Sequence, residues 1–246
     1  MQRILAMKST NNISEFLNPH ISVDCVIFGF DFWELKVLLI ERGQWHRLQN
    51  GKKAFKSFFA LPGNLIRDDE NLDSSAKRVL KELTGLENIF LQQFYAFGNP
   101  ERVKQKDDLE WLEQMRAEPK ARVITIGYYA LVKLENYKPT PSSFAKKSEW
   151  VPLSKVKKLA FDHNEILNKA LDTLKHKIHS EPIGFELLPK KFTLTQLQKL
   201  YEAVLGINFD KRNFRRKILQ SDLLISLREK QEGVSHKRPQ LFKFKR

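Results

Sequence analysis

The sequence predicts an α+β chain in two units, a strand-rich sandwich and a smaller basic helical unit. Two observations point to it. Up to about residue 180, β-rich apolar runs such as ISVDCVIFGF and RVITIGYYALV are interspersed with two amphipathic helical patterns. Beyond that the texture changes: residues 189–246 hold 15 Lys and Arg against 5 Asp and Glu, a surplus of 10 in a chain of net charge +14. Basic charge concentrated in this way points to a polyanionic partner.

The elements follow in order. ISVDCVIFGF and LKVLLIERG read as strands joined by a turn at Asp31–Glu34. HRLQNGKKAFKS reads as a polar loop, and FFALPGNLI as a short strand ending at Pro62–Gly63. A helix is expected from about Asp73 to Thr84, because Ala76, Val79, Leu80 and Leu83 fall at i, i+3, i+4 and i+7 and Gly85 stops it. IFLQQFYAFG is strand-like, DDLEWLEQMR is a short charged helix in a loop, and RVITIGYYALV and EWVPL are strands. FDHNEILNKALDTLKHKIH is an amphipathic helix from near Asn164. Residues 181–192, with two prolines and a glycine, are the expected linker. Thr193 with Gln196 makes a capping-box pattern before an apolar stripe that runs to Leu205, and Gly206 ends that helix. Asp210 can cap KRNFRRKILQ, in which Phe214 and Ile218 face inward. DLLISL, a basic loop and the alternating QLFKFKR complete a helix–turn–helix and hairpin, a winged-helix layout.

The boundaries expected are an N-terminal arm at 1–20, a ligand-binding unit at 21–180, the linker at 181–192 and a DNA-binding unit at 193–246. No apolar run approaches the length of a membrane span. The N-terminus has no apolar core of a secretory signal, and Cys25 is the one cysteine; a cytoplasmic setting without intrachain disulfides is expected.

Asn64 to Leu86 resembles the Nudix box, G-x5-E-x7-R-E-U-x-E-E-x-G-U, when registered from Gly85 and Leu86. Glu70, Arg78 and Glu82 match. Asn64 replaces the box glycine, and Val79 and Leu83 replace glutamates. Cleaving a diphosphate needs divalent cations that neutralise phosphate and activate water, and Mg²⁺ needs converging carboxylates. One remaining glutamate leaves the cation mostly to water. The resemblance therefore implies a Nudix-like α/β/α sandwich whose Glu70–Arg78 scaffold survives without metal, cofactor or catalytic residues. The alternative is a Mg²⁺-dependent Nudix hydrolase of ADP-ribose or a related nucleoside diphosphate, its site rebuilt from carboxylates such as Glu110 or Glu113.

With the basic winged helix downstream, the chain is similar to the Nudix-related transcriptional regulators; DCVIFGF, LAFDHNEIL, EPIGFELLPKKFTLTQLQKLYEAVLG and DKRNFRRKIL carry the likeness. The resemblance implies a cytoplasmic homodimeric repressor that binds palindromic operator DNA and is released by a small effector. Its nearest likeness is to the sugar-responsive, arabinose-type group typical of Bacteroidetes; the ADP-ribose-responsive regulators of NAD metabolism are the alternative. The insert between Phe97 and Arg122 departs from the family. Candidate effector contacts are Asp24, Asn64, Arg78, Glu82, Arg122, Asp162 and His163, with capping an equal role for Asp162. Candidate DNA contacts are Lys211, Arg212, Asn213, Arg215, Arg216 and Lys217, with Lys237 and Arg238 in the wing, because cations hold phosphates and forked or amide side chains read base edges. A non-specific nucleic-acid binder is the third reading.

Overall fold

The computed structural model describes residues 17–47, 53–140, 145–180, 187–233 and 238–245. In chain order the elements are β1 (Leu17–Phe30), β2 (Leu35–Arg47), β3 (Lys53–Ala60), β4 (Gly63–Arg67), α1 (Leu72–Thr84), β5 (Gln92–Phe97), α2 (Lys106–Met115), β6 (Ile124–Lys133), β7 (Lys147–Pro152), α3 (His163–Ser180), α4 (Leu194–Leu205), α5 (Lys211–Gln220), β8 (Leu224–Lys230) and β9 (Gln240–Phe244).

β1 is the central strand because its side chains are apolar on both faces, and Val23 to Phe30 are all buried. One edge pairs with β6 in parallel from Ile21↔Ile124 to Phe30↔Lys133. The other pairs antiparallel with β4 near its start and with β2 near its end. β2 also carries β3 and β7, and β5 closes the sheet beyond β6. Alternation along β1 sorts the two cores. Val23, Cys25 and Ile27 meet Ala76, Val79, Leu80 and Leu83 of α1 on one face. Val26, Phe28 and Phe30 meet Ile166, Leu167, Ala170 and Leu174 of α3 on the other. This is the α/β/α sandwich expected. α1 is bounded by Asn71, whose side chain accepts from the Ser74 N–H at 2.8 Å, and by Gly85 in the left-handed region at φ 73°.

The second core does not stop at the sandwich. Ile178 at the end of α3 continues into Leu187, Leu188, Phe192, Leu197, Leu200, Phe214, Ile218, Phe242 and Phe244. The Tyr201 hydroxyl on α4 donates to the Ile178 carbonyl at 3.1 Å. The Thr193–Gln196 capping box opens α4, Asp210 caps α5, and β9 turns Phe242 and Phe244 inward with Lys243 and Lys245 outward.

Four expectations change. β1 starts at Leu17, so the end of the expected arm is strand, held by the edge that β4 offers at Leu17↔Arg67. The polar stretch after β2 is a hairpin arm paired from Ile40↔Ala60 to Arg47↔Lys53; backbone pairing does not need apolar side chains. FFALPGNLI is two strands broken at Leu61–Pro62, since proline has no N–H to donate, and the Pro62 carbonyl instead accepts from Cys25 N–H at 2.8 Å. Within the expected linker 181–192, Leu187, Leu188 and Phe192 are buried and Phe192 exchanges two backbone hydrogen bonds with Phe242. Its described part is thus packed into the C-terminal unit, because its apolar residues have a core to enter.

Phe192→Ala removes a ring that touches Phe244 and sits 1% exposed. It is expected to cost about 3–5 kcal/mol, read as a lower urea midpoint of the full chain.

Candidate functional site

Arg78 is the hub of what remains of the box. It donates through Nε and Nη2 to Glu70, through Nη2 to the Leu65 carbonyl at 3.1 Å, and through Nη1 to Glu82 at 3.0 Å. Arg67 N–H and Ser75 Oγ also donate to Glu70. Burial opposes ionisation of Glu70, but these donors hold its carboxyl down at about 2. Glu82 takes a second arginine, Arg67 Nη2 at 3.1 Å. Val79 and Leu83 are 0% and 1% exposed, locked into the core beneath β1. The residues present therefore do not fit a magnesium platform: two positions are core and the third is spoken for by arginines. Among the described residues no group of three or more His, Cys, Asp or Glu could hold a metal ion. Glu110 and Glu113, the suggested replacements, lie on α2 and join no such group.

A second cluster lies at the start of α3. Asp24, buried on β1, accepts from Thr125 Oγ1 at 2.6 Å and faces His163 Nε2 at 3.4 Å and Arg102 Nη2 at 3.7 Å. Leu61 N–H donates to His163 Nδ1 at 2.9 Å, which fixes the tautomer with the proton on Nε2, toward Asp24. Burial would raise the Asp24 pKa, yet His163, Arg102 and Thr125 hold it at about 2. Gly63 is opposite Asp24 in the β1–β4 ladder, and a Cβ there would sit 1.7 Å from Asp24 Oδ1; glycine at 63 is what lets the carboxylate fit. Arg102 forms a bidentate pair with Asp162 at 2.8 and 2.9 Å.

Above them, Arg42 of β2 lies between the rings of Trp111 and Phe161, its guanidinium carbon 4.3 and 4.1 Å from the ring centres. Its Nη2 donates to Asp108 of α2 at 2.9 Å. Burial brings Arg42 and the neighbouring Arg116 down to about 10, leaving both protonated at neutral pH. Arg42, Trp111, Phe161 and Arg116 line a small cavity of about 40 Å³ together with Asn64. Cys25, beneath, is buried, and its thiol is pushed up by that burial and by Asp24; it is not a nucleophile.

The expected effector residues are thus divided. Asp24, Asn64 and His163 line the cavity; Asp162 pairs its carboxylate with Arg102, while its carbonyl accepts from Glu165 and Ile166 N–H at the entry to α3. Asn64 spends its side-chain oxygen on the adjacent Leu65 N–H. Arg78 and Glu82 belong to the box network. Arg122 is exposed, donates to the Gly98 carbonyl at 3.2 Å and lines a different groove with Pro100 and Leu109. A groove of about 600 Å³ along the outer side of α1 shares only Arg78 with the expected set. Arg42, Arg102, Asp108, Trp111 and Arg116 were missed, although an arginine ending the apolar LKVLLIER and the buried 108, 111, 112 spacing of α2 were legible signals.

On α5, Lys211, Arg212, Asn213, Arg216 and Lys217 are exposed. Arg215 is half-buried, with its Nε unpartnered, so it is less available than its neighbours. Arg216 donates to Asn213 Oδ1 at 3.1 Å. Arg238 is exposed; Lys237 lies outside the described residues. Exposed Arg228, Lys230 and Lys243 on β8 and β9 extend the basic surface.

Comparison with known proteins places both units. Residues 184–244 match the NrtR DNA-binding winged helix domain, starting ahead of Thr193. The chain is 33% identical over 236 residues, 94% of it and 84% of the relative, to the ADPR responsive transcriptional repressor NtrR of Acinetobacter baylyi. It is 25% identical over 166 residues, 68% of it and 81% of the relative, to an ADP-ribose pyrophosphatase of Methanocaldococcus jannaschii. The crystal structure of Shewanella oneidensis NrtR complexed with a 27mer DNA superposes with a TM-score of 0.65 at 27% identity, over 92% of this chain and 93% of that one.

Two outcomes test the site's electrostatics. Restoring both glutamates in Val79→Glu/Leu83→Glu buries unpaired charge and is expected to lose at least about 3 kcal/mol, without Mg²⁺-dependent turnover of ADP-ribose; calorimetric melting and chromatographic detection of AMP read the two. Asp24 and Glu70 ionise at about 2 in the fold against 3.8 and 4.5 ordinarily. Lowered carboxylates stabilise fully above the ordinary values, and that contribution is lost as pH falls through the folded ones. Stability is therefore expected to drop between about pH 4.5 and 2, and Asp24→Asn, weaker at neutral pH, to drop less steeply on acid titration.

Proposed function

This chain belongs to the family of Nudix-fold transcriptional regulators that end in an NrtR-type winged helix, and from that premise we propose that it is a repressor of transcription whose effector is ADP-ribose. In this reading two winged helices of a homodimer dock α5 in successive major grooves of double-stranded operator DNA, and the β8–β9 hairpin lies along the backbone. In the same reading Arg212, Asn213 and Arg216 read base edges. Effector binding weakens DNA binding by favouring a different placement of the wings, which requires that the effector bind one arrangement better than the other.

The observation that carries the reading is the course of α3. Its first turn supplies His163 to the cavity beside Asp24, with Asp162 just ahead of it. Its last turns supply Leu174 and Ile178 to the core shared with α4, α5 and β9. At about 1.5 Å per residue, a helix of 18 residues spans about 27 Å. One rigid element thus joins the ligand end to the DNA end.

The sugar effector favoured by the sequence is given up in favour of ADP-ribose, the effector in the name of the Acinetobacter relative. The hydrolase alternative has a relative in the Methanocaldococcus enzyme, but Val79 and Leu83 are core and Glu82 is held by Arg67 and Arg78, so the reading is a sensor without turnover. No described helix is long and apolar enough to cross a membrane.

Gel-shift titration against genomic operator fragments is the test. ADP-ribose is expected to release the DNA and L-arabinose to leave it bound; release by arabinose alone, or by neither, overturns the reading. Arg212→Ala and Arg216→Ala are each expected to weaken specific binding about tenfold or more, and a filter-binding salt series to show a shallower slope.

A further inference from the structure

Arg42 is 3% exposed, yet its Nε and Nη1 have no hydrogen-bond partner among the described residues. A buried guanidinium left with unused donors is an anion site in waiting. Nearby, half-buried Arg116 makes no side-chain hydrogen bond or ion pair to another described residue, and it lines the same cavity as Arg42 and Arg102. The anion now on Arg42 comes from the chain itself. Asp108 of α2 takes Arg42 Nη2 at 2.9 Å and the Phe161 N–H at 3.0 and 3.1 Å. A guanidinium N–H plus a backbone N–H is a donor set that a phosphate oxygen also takes. Phe161 holds that N–H in place from the left-handed region, at φ 54°, which a non-glycine residue rarely adopts.

We propose that Asp108 is an internal stand-in for an anionic ligand: in the free protein it occupies Arg42 beside the chamber of Arg42, Arg102 and Arg116, and the diphosphate of the effector displaces its carboxylate, α2 shifting to make room while Arg116 at its C-terminal end stays on the ligand. Naming the anion a diphosphate rests on the ADP-ribose reading; the anion site does not. The space agrees. A cavity of about 40 Å³ holds little more than one water and cannot take a diphosphate while α2 is seated. The charges agree as well: Arg42, Arg102 and Arg116 are balanced by Asp24, Asp108 and Asp162, and Asp108 is the acid contributed by the insert. Asp24 and Asp162 stay, fixed by Thr125, His163 and Arg102. α2 also seats Trp111 on Arg42, so its shift moves an indole against the guanidinium.

Isothermal titration of the full chain with ADP-ribose and with inorganic pyrophosphate tests this. Asp108→Asn keeps an acceptor for Arg42 and Phe161 but drops the charge, and is expected to bind both ligands about tenfold tighter. Arg42→Met and Arg116→Gln are expected to bind both about tenfold or more weaker. Arg116 strands no hydrogen-bond partner among the described residues, so Arg116→Gln decides the matter if Arg42→Met fails to fold. Binding is expected to change tryptophan emission, a change reduced in Trp111→Phe. Unchanged affinities in Asp108→Asn and Arg116→Gln overturn the stand-in even if ADP-ribose binds the wild type well. Pyrophosphate binding with the expected shifts, but no ADP-ribose binding, upholds the chamber and overturns the effector. Binding of neither ligand overturns both.

Discussion

Helix α3 must satisfy two hydrophobic interiors at once, and much of the molecule is arranged around that constraint. Near its start Ile166 and Leu167 lie against Val26 and Phe28 of the central strand, and at its end Ile178 lies among Leu187, Phe192 and Leu197 of the winged helix. A helix built into both cores cannot tilt at one end without the other. Tyr201, hydrogen-bonded to the Ile178 carbonyl, ties the joint on its polar side.

The box shows how a metal site is converted rather than lost. Replacing glutamate by Val79 and Leu83 did not leave a gap; both side chains entered the core with Ala76 and Leu80. Each apolar side chain buried so stabilises the sandwich by about 1.5–3 kcal/mol, where a buried, unpaired carboxylate would cost more than that. The retained charges turned inward on one another. Glu70, Arg78, Glu82 and Arg67 now close a loop-to-helix clamp, which holds β4, and with it Gly63, against the Asp24 carboxylate. A separate charge cluster, Asp24 with Arg102 and His163, lies beside β1 at the start of α3.

The order of elements, the capping residues and the inward faces of the helices were legible because they rest on local rules. Thr193 with Gln196, Asp210, Gly85 and Gly206 each mark a helix end from within a few residues. The pairing of β2 with β3 through a polar stretch was not legible, since a ladder depends on a partner strand rather than on side-chain polarity. The burial of the described part of 181–192 was equally hidden, because its cover, Phe242 and Phe244, comes from the far end of the chain.

By itself the sequence determined the two-unit α+β plan, the degenerate box and the basic recognition surface, since each is written in periodicity, spacing or charge over neighbouring residues. Only the tertiary structure decided which charged groups meet. Arg42 and Asp108 are far apart along the chain, as are Arg102 and Asp162, and no local pattern pairs them. Burial chose those partners: a charge taken out of water must be matched by whatever the fold brings beside it, and the fold brought the insert over the cavity.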